Sequence, residues 1–160
     1  MIPKMPLLLA MLAIATPALA QAPAPAAPAP ADAASAATAG DPVSGEREFN
    51  KCKACHMIRD DQGTDIVKGG KTGPNLYNVV GRQAGTQEDY KYSDALVKLG
   101  EAGEIWTPED LTHYVTDPNG YVQEKTGDSK LRTKMTFKLT KKQADVVAFL
   151  QQNSPGAPAN

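Results

Sequence analysis

The sequence predicts an all-α domain, with four or five helices and long loops arranged around a group that the chain's own side chains do not supply. Helix-start signals recur at Asp41-Pro42, Ser93-Asp94, Thr107-Pro108 and Thr140, each a capping side chain ahead of a helix-compatible run. Apolar residues behind them fall at helical spacing. Between them lie glycine- and proline-rich stretches, notably 60–91 and 117–134, of a length that a compact domain tolerates only when something orders them.

In chain order, the first segment stands outside this fold. Lys4, an apolar run from Leu7 to Ala15 and Ala18-Leu19-Ala20 make residues 1–20 a secretory signal peptide, cut at about Ala20-Gln21. The run falls short of the ~20 apolar residues of a membrane span, and Pro17 interrupts it. Residues 21–40 are almost wholly Ala and Pro, too poor in large apolar groups to bury a core, and are expected to form a disordered leader. The folded domain is expected over 41–153, followed by a breaker-rich, flexible tail at 154–160.

Asp41 and Pro42 open the first helix, which sets Gly45 and Phe49 one turn apart, so that another helix can approach closely at the glycine. Ser93 opens a short helix over 95–99 that Gly100 stops. Thr107-Pro108-Glu109-Asp110 opens a third, with Leu111, Tyr114 and Val115 on one face, ending before Pro118. Thr140 and Gln143 form a capping box for the last helix, whose Val146, Val147, Phe149 and Leu150 give an apolar side. Phe149 and Phe49 are expected to meet where the terminal helices cross.

Cys52-Lys53-Ala54-Cys55-His56 decides the chemistry, because it holds the only 2 cysteines of the 160 residues. In a helical turn, positions i, i+3 and i+4 share one face, so both thiols and the imidazole can address one flat ligand. This is the pattern of covalent haem c attachment, in which the thiols add across two vinyl groups and His56 reaches the iron. A redox Cys-X-X-Cys wants a βαβ setting, and none is visible. A zinc site wants four ligands, and beyond the pentad only His113 is on offer. A plain disulfide gives no reason for His56. Secretion agrees with haem attachment outside the cytoplasm and points to the bacterial periplasm. A buried haem would also supply much of the apolar interior of so small a domain.

His56 leaves the second axial position to Met57, Met135 or His113, since the remaining methionines lie in the signal peptide. Met57 adjoins His56 and cannot reach the opposite face. Met135 sits in a non-helical stretch that could fold over that face, whereas His113, beside Tyr114, reads as a surface residue. Gly45-X-X-X-Phe49, Cys52 to His56, Lys71-Thr72-Gly73-Pro74-Asn75-Leu76-Tyr77, Gly81-Arg82, Trp106, Tyr114, Thr133-Lys134-Met135 and the final helix occur in this order. Together they resemble a class I c-type cytochrome of the long-loop group of purple and denitrifying bacteria, over about 41–153.

The resemblance implies the class I cytochrome c fold, one haem c bound through Cys52 and Cys55, and Met135 as the iron ligand opposite His56. It implies that the Pro74 carbonyl accepts a hydrogen bond from His56 Nδ1 and that the Tyr114 hydroxyl approaches the Met135 sulfur. It also implies that Arg82, Tyr92, Trp106 and Thr133 donate to the haem propionates. The stretches 59–70 and 117–131 are longer than in short mitochondrial members, which leaves Tyr121 without a defined place.

Loss of Lys4 with the signal leaves 16 basic against 18 acidic residues, about −2. That balance, with no reader motif, argues against nucleic-acid binding. The layout says more: residues 125–142 carry a net +6 and residues 86–117 a net −6, so a strong dipole is expected. Its positive end coincides with the Met135 segment, and Lys51, Lys53, Lys71, Lys134 and Lys138 are candidate docking lysines around an exposed haem edge. The resemblance implies a monomeric one-electron carrier and not an enzyme. Its donor would be a cytochrome bc complex and its acceptor a photosynthetic reaction centre or a terminal cytochrome oxidase or reductase, with membranes touched only through those complexes. Two rival readings make distinct demands. A haem enzyme or gas sensor needs Met135 not to ligate, and a membrane-tethered carrier needs the signal segment retained.

Overall fold

The computed structural model describes residues 40–157, so the signal peptide and all but the last residue of the leader lie outside the described residues. Among these are five α-helices: α1 (Pro42–Glu48), α2 (Asp94–Glu101), α3 (Pro108–Thr116), α4 (Pro118–Thr126) and α5 (Gln143–Gln152). A small antiparallel ribbon, β1 (Ile58–Arg59) with β2 (Asp65–Val67), and an isolated antiparallel bridge between Gln83 and Ile105 add to the all-α expectation.

Asp41 caps α1 by accepting from Val43 N at 3.0 Å, and Pro42 occupies the first turn, where no intrahelical donor is needed. The helix tightens into one 3-10 turn, Phe49–Lys51, that delivers the chain to Cys52. α1 crosses α5 with Gly45 buried at the contact, and the Phe49 and Phe149 ring centroids stand 5.5 Å apart, as expected. Asp41 N also donates to Asp145 Oδ1 at 3.0 Å, tying the starts of the two helices together. Phe49, Ile58, Leu99, Val122, Leu139 and Val146 are at most 2% exposed and mark the core.

Four local expectations are corrected. Gly100 lies inside α2, its Cα against the Ala84 carbonyl where a Cβ would come within 2.1 Å, and the left-handed exit is Gly103 at φ 86°. The capping box does not form: Lys142 precedes α5 without a side-chain cap, and Gln143 Nε2 donates to Leu139 O at 2.7 Å. Part of 117–134 is helical, as α4, capped by Asp117 accepting from Gly120 N at 3.2 Å and leaving through left-handed Gly127. Finally, residues 154–157 of the expected tail dock, the rest of it lying outside the described residues: Ser154 Oγ accepts from Val80 N at 3.2 Å, and Gly156 N donates to Asn78 Oδ1 at 2.9 Å.

Backbone pairing orders the long stretch before α2. Trp106 N donates to Arg82 O at 2.9 Å, Ala84 N to Glu104 O at 2.9 Å and Gly81 N to Trp106 O at 2.8 Å, so the stretch is zipped to the strand-like segment after α2. The Asn75 amide clamps Arg59 from both sides, accepting from its N–H at 2.9 Å and donating to its carbonyl at 2.7 Å. This brings the Gly73-Pro74 corner against the pentad.

Candidate functional site

The pentad closes as a turn, with His56 N donating to Cys52 O at 2.9 Å. That is the i, i+4 closure its spacing requires. Cys52, Cys55 and His56 line one cleft of about 1200 Å³, its open mouth included, and Met135 lines the same cleft. The two cysteines are not joined in a disulfide. Before any group is attached, burial pushes the Cys52 thiol up to about 11, with Glu48 and Cys55 adding to the shift, so the unattached thiol is neutral at physiological pH.

His56 Nδ1 donates to the Pro74 carbonyl at 2.8 Å, the geometry expected. A carbonyl can only accept, so Nδ1 carries the proton and the Nε2 lone pair is left for a metal. Burial lowers the imidazole pKa and the Pro74 bond partly opposes this, which keeps the ring neutral at physiological pH. Gly73 makes the fit possible: a Cβ there would lie 2.4 Å from His56 Cε1.

On the other side, Met135 N donates to Thr133 Oγ1 at 3.3 Å, and Thr133 N donates to Asn119 Oδ1 at 3.0 Å, which ties the Met135 segment to α4. The Tyr114 hydroxyl pairs with Thr133 Oγ1 at 2.9 Å, and Tyr114 and Met135 line the same cleft. Met57 is buried away from the cleft, and His113 is exposed on α3. Tyr121 finds a place under the site, buried with its ring centroid 5.7 Å from that of Trp106.

Arg82, Tyr92 and Trp106 also line the cleft. Arg82 donates to the carbonyls of Tyr77 at 3.1 Å and Asn75 at 3.2 Å but has no carboxylate partner among the described residues. Burial lowers its pKa, and a desolvated guanidinium without a counter-charge fits an anionic group in the cleft. Ser93 adds a second such signal, since its Oγ is buried and without a partner among the described residues, and it lines the cleft. Sequence reading took Ser93 only as a helix cap, yet its side chain makes no cap bond. Two thiols, an imidazole, a thioether, an uncompensated cation and a free hydroxyl around one cleft fit a haem with its propionates.

No family model matches the chain. Cytochrome c-550 of Paracoccus pantotrophus is 62% identical over 122 residues, which is 75% of this chain and 91% of the relative. Cytochrome c2 of Rhodobacter capsulatus is 56% identical over 114 residues, covering 71% and 83% respectively. The chain belongs to the class I c-type cytochromes. The X-ray structure of ferric cytochrome c-550 from Paracoccus versutus matches with a TM-score of 0.71 at 60% identity, covering 72% of this chain and 99% of that one. This cytochrome is accordingly an electron-transfer protein, not an enzyme, and carries one haem c attached through Cys52 and Cys55.

The candidate docking lysines are dispersed. Lys51 and Lys134 line the cleft, Lys51 also pairing with Glu48, while Lys53 and Lys71 are exposed beyond its lining. Lys138 is held by Asp117 at 2.6 Å, and Lys125 by Asp110 at 2.9 Å and Glu104 at 3.1 Å. Basic and acidic segments therefore interlock at two points, and the full charge separation expected of the cytochrome is reduced.

Burial raises the Tyr114 phenol to about 12, with the Thr133 bond partly opposing. An unfolded tyrosine ionises near ~10, so above that pH the unfolded chain loses the proton first. The folded state then loses stability as pH rises from about 10 to about 12, by roughly 3 kcal/mol in total, while below pH ~10 the residue has no such effect. Tyr114→Phe is expected to flatten that part of the stability profile in urea titrations of the cytochrome. An unchanged slope would contradict the burial argument.

Proposed function

We propose that this cytochrome is a periplasmic one-electron carrier, with a folded domain that starts at about 41 and is released by cleavage at about Ala20-Gln21, and that His56 and Met135 are its axial ligands. The observation that supports this most is the convergence on one cleft of the Met135 side chain and an imidazole whose tautomer is set by Pro74. The bound haem iron supplies the chemistry, alternating between Fe(II) and Fe(III) by one electron. His56 and Met135 would hold the iron from its two sides and leave no position for a substrate. Met135, a neutral soft donor, favours the less charged reduced centre. Arg82, Tyr92, Trp106 and Thr133, with Ser93, donate to the propionates and offset a desolvation cost of several kcal/mol per carboxylate.

Electrons enter from a cytochrome bc complex and leave to a photosynthetic reaction centre or a terminal oxidase or reductase, with the monomer docking through Lys134 and Lys51 at the cleft mouth and Lys53, Lys71 and Lys138 around it. Stopped-flow oxidation and reduction against each purified complex tests the assignment. Lys134→Glu with Lys138→Glu is expected to slow the reaction at low ionic strength, and the effect should fade as added salt shortens the Debye length from about 30 Å to about 10 Å. Lys134→Glu alone should carry most of the slowing, because Lys138 is already paired with Asp117. Equal rates for variant and parent at low salt would remove this face from the docking model.

A further inference from the structure

Three segments meet at the mouth of the cleft: the His56-side loop at Thr72, the loop carrying Tyr90 to Tyr92, and the Met135 segment at Lys134. Tyr90 engages each of them. Its hydroxyl donates to the Thr72 carbonyl at 3.1 Å, next to the Gly73 that abuts the His56 ring. Its ring stands edge-on to Tyr92, centroids 4.8 Å apart. The Lys134 ammonium lies 5.8 Å from the Tyr90 ring centroid and donates to the carbonyl of the adjoining Lys91. Among the hydrogen bonds of the described residues, Tyr90 to Thr72 is the one joining the first segment to the second, and Lys134 to Lys91 the one joining the second to the third.

We propose that Tyr90 is a positioning residue that clasps the His56 side of the cleft to the Met135 side and sets how readily Met135 yields to an exogenous ligand. The proposal rests on the axial assignment of Met135 above. A neutral hydrogen bond and a partly exposed cation–π contact are each modest. Their leverage comes from where they act. The stretch from Leu131 to Thr140 has no helix or strand of its own; buried Thr133 and Leu139 anchor it, while residues 134–138 between them, Met135 included, hold no fully buried side chain, and segments with few buried contacts open at small free-energy cost. A modest loss at the clasp therefore acts on the part of that wall that the two anchors leave least supported.

The experiment titrates oxidised holoprotein with imidazole and follows the near-infrared methionine-to-iron band. Tyr90→Phe keeps the ring and removes the Thr72 bond, and is expected to bind imidazole about threefold to tenfold more tightly than the parent. Tyr90→Ala, which also removes the ring under Lys134, is expected to bind more tightly still. Asp65→Asn weakens the Arg59–Asp65 pair on the ribbon, outside the cleft lining, and serves as the control for general loosening. Equal imidazole affinity in Tyr90→Phe and parent, with the band present in both, overturns the clasp while leaving Met135 ligation intact. An equal gain in Asp65→Asn overturns it as well. Absence of the band in the parent instead overturns Met135 ligation, and the clasp with it.

Discussion

Gly45→Val is expected to yield little or no stably folded holoprotein. The Gly45 Cα sits against the α5 backbone, where a Cβ would lie 1.9 Å from the Asp145 carbonyl oxygen and 3.0 Å from Phe149 Cβ. Backbone cannot swing aside as a side chain can, so the helices must part. Parting them uncovers Phe49, which is 1% exposed, and breaks its contact with Phe149. Losing the packing of one large aromatic costs about 3–5 kcal/mol, against a total stability of about 5–15 kcal/mol for a domain of ordinary size. Glu46→Val places the same side chain on the exposed face of the same helix, and helix propensity alone should cost about 0.5 kcal/mol there. Urea unfolding followed by far-ultraviolet circular dichroism separates the two. Similar midpoints for both variants would show that α1 and α5 do not need their close approach.

Much of this site is readable from local chemistry. Asp41-Pro42 and Thr107-Pro108 are capped as their side chains demand, and the Cys52-to-His56 spacing closes into one turn, the Cys52 carbonyl accepting from both Cys55 N and His56 N. α4 escaped because its signals conflict. Asp117-Pro118 and Gly127 bracket a helix, yet Asn119 and Gly120 sit inside it, and one of its three buried residues is the opening proline, leaving only the adjacent Tyr121 and Val122 as an apolar signal. The ion pairs from Lys125 to Glu104 and from Lys138 to Asp117 join segments far apart in sequence, so summing charge along the chain could not anticipate them. Ser93 was missed for a related reason: a serine ahead of a helix reads as a cap, and only the cleft it faces gives its hydroxyl another use.

Met135→Ala is expected to lower the reduction potential by roughly 120–180 mV, two to three decades of relative ligand affinity at about 59 mV per decade for one electron. As the proposed ligand, the thioether would be a neutral, soft donor that stabilises the reduced centre more than the oxidised one, so its removal would favour Fe(III). The same change should abolish the near-infrared methionine-to-iron band and let carbon monoxide bind the reduced protein. Met57→Ala discriminates ligation from mere packing. Met57 is 8% exposed and does not line the cleft, so its truncation should cost stability while leaving band and potential in place. If Met135→Ala kept the parental potential and excluded carbon monoxide, the second axial position would belong to another residue. His113 would be a poor substitute, since it is exposed on α3 and could reach the cleft only if that helix were rebuilt. A closed sixth position is also what separates a carrier from a haem enzyme, because an iron coordinated on both faces exchanges electrons through the haem edge without binding a substrate.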